Sequence, residues 1–124
     1  MKTIKPTETL ERHVRQAGIT TGPPKLELFR RALALRATPP VGAQENAKDS
    51  TVFVKLFDPC GPCTWFLLEW DGHAEAFGFV IGHEKEFGYI DLAELAEVPG
   101  ALGIGIEIDI WFLPQPLSQA VTAR

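Results

Sequence analysis

The chain lacks most of the features that make a function legible. It holds two cysteines in 124 residues, too few for a disulfide scaffold, and a chain of this length needs none. No apolar run approaches the ~20 residues that cross a bilayer; the longest are 65-WFLL-68 and 110-IWFL-113. This argues against a membrane partner. The N-terminal MKTIKPTETLER has two lysines with no apolar stretch behind them. No secretory signal is therefore expected, a cytoplasmic location follows, and the thiols are expected to stay reduced. There is no internal repeat. No glycine-rich phosphate loop is present either, because 100-GALGIG-105 opens a strand rather than a helix. Nor does any Ser-His-Asp or Cys-His arrangement stand out.

What remains is an ordinary globular balance, 45% hydrophobic and 23% charged, in a length that fits one domain spanning residues 1–124. Charge is unevenly placed. Residues 1–36 carry eight Lys or Arg against three acids, and residues 37–124 carry four against thirteen. Such asymmetry can mark a nucleic-acid surface or an acidic protein-binding face, or it can be solvated charge. The basic residues Arg12, Arg15, Lys25, Arg30, Arg31 and Arg36 are scattered around two helical segments without interleaved aromatics. That pattern argues against direct nucleic-acid binding.

Periodicity divides the chain into a helical part (1–36), a loop (37–50), a β-rich part (51–117) and a tail expected to fray (118–124). Thr7 is placed to cap a helix running to about Ala17, with Leu10, Val14 and Ala17 in register and Gly18 as its left-handed stop. A second helix opens near Pro24 and carries Leu26, Phe29 and Leu33 as one stripe. Segments 51–57, 64–70, 74–82 and 87–90 read as strands. Asp91 caps a short helix to Val98, and 103-GIGIEIDIWF-112 alternates as a last strand. The expected fold is α+β: two N-terminal helices packed on a mostly antiparallel four- to five-stranded sheet, with one short inserted helix.

Three groups of residues invite a functional reading. Cys60-Gly61-Pro62-Cys63 has the letters of a thioredoxin redox motif. That chemistry needs the motif at a helix N-terminus, where the dipole favours the thiolate. Here a strand follows, so the motif reads as a hairpin corner. Cys60, Cys63, His73 and His83 do not have a standard zinc spacing. In a meander, His73 falls about 20 Å from the cysteines. His83 returns to their end of the sheet, so zinc would take Cys60, Cys63 and His83, with Asp58 or Glu84 as a fourth ligand. Third, Glu107, Asp109 and Trp111 share one face of the last strand. With Trp65 they form either a solvated face or an acidic, aromatic contact surface.

The β-rich part also carries a recognisable pattern. It comprises Phe57 and Pro59, Thr64-Trp65 with Glu69, Phe77-Gly78, Glu86 with Gly88-Tyr89, and Leu92 with Glu94-Leu95. Gly100 with Gly103, Glu107 with Asp109, and Phe112 with Pro114 complete it. Over about residues 50–117 this resembles a family of small bacterial proteins known as domain-of-unknown-function family 2958. Its members are often encoded on plasmids and integrative elements. The resemblance implies no activity and no catalytic residues. It does suggest a mobile-element accessory role, one acting against host defence being an example. The reading that results is a small non-enzymatic interaction protein without a cofactor. Its partner would be another protein, and a second copy of the chain is one candidate. The competing reading is a metal-binding or thiol-redox protein built on Cys60, Cys63 and His83.

Overall fold

A computed structural model describes residues 4–123. In chain order the elements are α1 (Pro23–Leu35), β1 (Thr51–Val52), β2 (Val54–Phe57), β3 (Thr64–Trp70), β4 (Glu75–Ile81), β5 (Lys85–Asp91), α2 (Leu92–Ala96), β6 (Glu107–Ile108), β7 (Gln115–Pro116) and α3 (Leu117–Thr122). The main sheet has the order β5-β4-β3-β2-β6 with every neighbouring pair antiparallel. β1 and β7 form a separate two-stranded antiparallel pair. The α+β class and the mostly antiparallel sheet of the sequence reading therefore hold.

The turns follow their residue chemistry. Asp58 bonds its own hairpin: its N–H donates to the Cys63 carbonyl at 3.1 Å, and its Oδ1 accepts the Cys60 N–H at 3.1 Å. Asp71 does the same for the β3–β4 turn, accepting the N–H groups of His73 at 2.7 Å and Glu75 at 3.1 Å. Asp91 caps α2 by accepting the Glu94 N–H at 3.1 Å.

Apolar residues line both faces of the sheet. Val54, Leu56, Leu67 and Ile108 face α1, where Phe29, Ala32 and Leu33 are buried, and α2, where Leu92 and Leu95 are buried. On the opposite face Val52, Phe66, Leu68 and Ile81 pack with Ala120 of α3. The register of β3 against β4 shifts between Leu67 and Glu69. This bulge leaves Glu69 opposite Phe77, beside the second cluster.

Three expectations are corrected. The helix expected over residues 7–17 does not form; those residues make turns, so among the described residues α1 is the one N-terminal helix. Their polar groups are committed elsewhere. The Leu10 N–H donates to the Ile110 carbonyl at 2.8 Å. The Gln16 side chain reads Ile108 as a strand partner would, accepting from its N–H at 3.0 Å and donating to its carbonyl at 2.8 Å. Leu10 and Val14 are buried all the same, which accounts for their helix-like spacing.

The strand expected over 103–112 shrinks to two residues. Gly103 and Gly105 take positive φ of 73° and 84°, and the chain turns after Asp109. Last, the tail expected to fray contains α3. Its Ser118 hydroxyl and N–H both donate to Asp49, at 2.6 and 3.1 Å.

Candidate functional site

The loop 37–50 reads as unstructured in sequence, yet two side chains hold it firmly. Glu69 is 4% exposed, and its two oxygens accept the N–H groups of Gly42 at 2.8 Å and Gln44 at 2.6 Å. The Gln44 carboxamide then accepts the Thr51 N–H at 2.7 Å and donates to the carbonyls of Thr51 and Leu68, both at 2.9 Å. Buried polar groups satisfied this completely give a rigid wall. Between that wall and the β4–β5 face lies a groove of 450 Å³ lined by Val41, Gln44, Leu68, Phe77, Phe87 and Tyr89 among others.

The floor of the groove is aromatic. Phe77 stacks on Phe87 at 6.2 Å and meets Tyr89 edge-on at 5.2 Å, and Phe79 meets Phe87 at 4.9 Å. Phe87 is 55% and Tyr89 66% exposed. The sequence reading passed over this pair. Its signal was present in 85-KEFGYID-91, where aromatics two apart fall on one side of a strand. What hid it was their exposure, which a hydrophobic pattern does not report.

Of the residues singled out from sequence, Glu107 lies on β6, and Asp109 and Trp111 lie on the turn that follows it. Asp109 shapes the corner: its N–H donates to the Lys55 carbonyl at 2.9 Å, and one carboxylate oxygen lies 3.7 Å from the Lys55 Nζ. The other oxygen accepts the Trp111 N–H at 3.0 Å. This turn presents Trp111 with 61% of its surface exposed, while its neighbours Ile110 and Phe112 pack against the two cores. Trp65 is not part of that corner. It opposes Leu56, which also opposes Ile108, so Trp65 lies on the face that packs with α1 and α2 and is partly buried there.

The cysteines occupy the β2–β3 hairpin. Both are free; Cys60 is exposed and Cys63 half-buried. The segment after Cys63 is β3, not a helix, so the dipole that activates a thioredoxin thiol is missing here. Asp58 also ties this hairpin to the loop before β6 by accepting the Ala101 N–H at 3.2 Å. The Cys63 sulfur lies against Gly82, the residue before His83. Even so, among the described residues no three His, Cys, Asp or Glu side chains come together to hold a metal ion. The trio Cys60, Cys63 and His83 is therefore not assembled as a ligand set.

No helix among the described residues is long and apolar enough to cross a membrane. One buried cation lies close to the β6 corner. Lys25 is fully buried and donates to the Ile106 carbonyl at 2.9 Å. Loss of water holds its pKa below the ordinary lysine value, and the nearby Glu107 charge opposes that shift.

No curated protein and no solved structure matches the chain. The family model described as a protein of unknown function, DUF2958, matches residues 28–123, from the first turns of α1 to the end of α3. That span is most of the chain, and the protein belongs to the DUF2958 family.

Proposed function

We propose that the protein is a small non-enzymatic interaction protein whose contact surface is the β6 corner formed by Glu107, Asp109 and Trp111. One observation carries this reading: Trp111 is 61% exposed on a turn that Asp109 locks. Tryptophan is among the residues most enriched at binding hot spots, and on a rigid backbone little conformational entropy is lost when a partner covers it. Glu107 and the acidic excess of residues 37–124 favour a partner with an apolar pocket rimmed by Lys or Arg. That partner is a protein met in the cytoplasm, and the role is that of an accessory protein, an extension by family analogy.

The test has two steps. Capture from the native host identifies the partner, and calorimetric titration of the purified partner measures its affinity. Trp111→Ala is expected to weaken binding at least about tenfold, and Glu107→Lys to slow association in a salt-dependent way. Both variants should keep wild-type circular dichroism. Equal affinity for wild type and Trp111→Ala would sink the proposal.

A further inference from the structure

The sheet treats its two edges differently. The outer edge of β6 is closed by the N-terminal segment, where the Gln16 carboxamide takes both polar groups of Ile108 and Leu10 donates to Ile110. The other terminal strand, β5, has seven residues and, among the described residues, no strand beyond it. An open, regular edge is a template for another strand.

We propose that β5 pairs with β5 of a second copy of the chain, antiparallel, about a two-fold axis at Gly88. This contact lies at the opposite edge of the sheet from Trp111 and does not rest on the partner reading above.

The hydrogen-bond phase of the ladder says which residues of β5 are free. Leu92 N–H donates to the Ala74 carbonyl at 2.7 Å, and Gly82 N–H to the Glu84 carbonyl at 2.9 Å. Both pairs continue the β4–β5 register. Bonded and non-bonded pairs alternate in an antiparallel ladder. The β5 residues that bond inward to β4 are therefore Glu86, Gly88 and Ile90. The N–H and C=O groups of Lys85, Phe87 and Tyr89 point outward from the sheet.

The sequence of this edge is complementary to itself. With the axis at Gly88, Phe87 stands opposite the partner's Tyr89, and Lys85 stands opposite the partner's Asp91, each twice by symmetry. Outward-pointing groups meet outward-pointing groups, so these are the bonded pairs. Aromatic faces aromatic and cation faces anion, the favourable cross-strand combinations. Asp91 caps α2 with Oδ1 alone, which leaves its second oxygen for the lysine. The closest approach falls on the non-bonded pair at the axis. There Gly88 presents no side chain, and nothing lies within 4 Å of where its Cβ would stand.

Moving the axis to Phe87 sets Lys85 against Tyr89. Moving it to Tyr89 sets Phe87 against Asp91. Only the Gly88 axis satisfies both the charges and the rings. In that dimer the two five-stranded sheets become one, and the exposed Phe87 and Tyr89 gain neighbours.

Sedimentation equilibrium over about a thousandfold range of protein concentration reads the association directly. The expected result is a monomer–dimer equilibrium, with amide exchange at Phe87 and Tyr89 slowing as the dimer fills. Tyr89→Pro removes an N–H that faces away from β4, a place where an edge strand tolerates proline. It should leave the monomer folded and abolish the dimer. Lys85→Glu or Asp91→Lys alone sets like charges opposite each other twice and should weaken association about tenfold. Mixing the two variants restores opposite charges in both pairs and should restore a heterodimer. The proposal is overturned if the wild-type chain stays monomeric throughout, or if a dimer forms that neither Tyr89→Pro nor the charge variants disturb.

Discussion

Lys25 is the residue whose environment departs furthest from what its type suggests. A lysine at the start of an amphipathic helix reads as solvated charge. Here it is fully buried, with its ammonium spent on the Ile106 carbonyl. Because desolvation lowers its pKa in the folded state, the unfolded chain holds the proton more tightly. Between the lowered value and the ordinary 10.5, unfolding takes up a proton, so stability rises with pH through that window. Urea unfolding from neutral to alkaline pH should show this rise, and Lys25→Met should flatten it. A second single-residue constraint lies on the segment that lysine reaches. Gly105 has a φ of 84°, and a Cβ there would stand 1.8 Å from the Thr20 carbonyl oxygen. Strained backbone and backbone overlap together should make Gly105→Ala cost about 3 kcal/mol in chemical denaturation.

Among the elements, the N-terminal segment shows best how packing overrides local pattern. Leu10 and Val14 have helical spacing, and both are buried. A helix would bury the same residues but leave the edge of β6 open. Bonds to Ile108 and Ile110 take precedence, because an unmet buried backbone group costs more than a short helix gains. Arg36 fastens the arrangement. Its guanidinium donates to the carbonyls of Pro6, Glu8 and Phe112 at 3.4, 2.5 and 3.2 Å, joining α1 to both ends of the chain. A planar fork can span three acceptors in a way an ammonium cannot. Arg36→Lys should therefore destabilise by about 2–4 kcal/mol and speed proteolytic cleavage before residue 20. Cleavage at the wild-type rate would show that the segment is held by its buried side chains alone.

For the whole molecule, the contrast between the two sheet edges organises everything functional. At β6 the edge is covered, and the chain leaving it presents one tryptophan on a locked turn. At β5 the edge is open and bears two exposed aromatics. The charge asymmetry along the sequence belongs to this scale as well, because most of the acids fall in the half that builds the sheet. The two contacts proposed above make opposite demands on the same variants. Trp111→Ala should leave self-association untouched, and Tyr89→Pro should leave partner affinity per chain untouched. Sedimentation and titration of both variants separate the two surfaces.

Most strands and turns of residues 54–98 were legible without a structure, whereas the single strand read over 51–57 divides between two sheets, β1 pairing with β7 and β2 with β3 and β6. β-Branched and aromatic residues mark the strands, and Asp58, Asp71 and Asp91 stand where short carboxylates satisfy turn and cap N–H groups. That information is local, so residue order carries it. The hairpin reading of Cys60–Cys63 rests on the same kind of evidence. Several features stayed hidden: the replacement of a helix by Gln16 at the β6 edge, the clamp of Glu69 and Gln44 on the loop, and the separation of Trp65 from Trp111. Each depends on groups distant in sequence meeting across the fold. Which element covers each side of the sheet, and which edge is left free, is set by that packing and not by any residue's own preference.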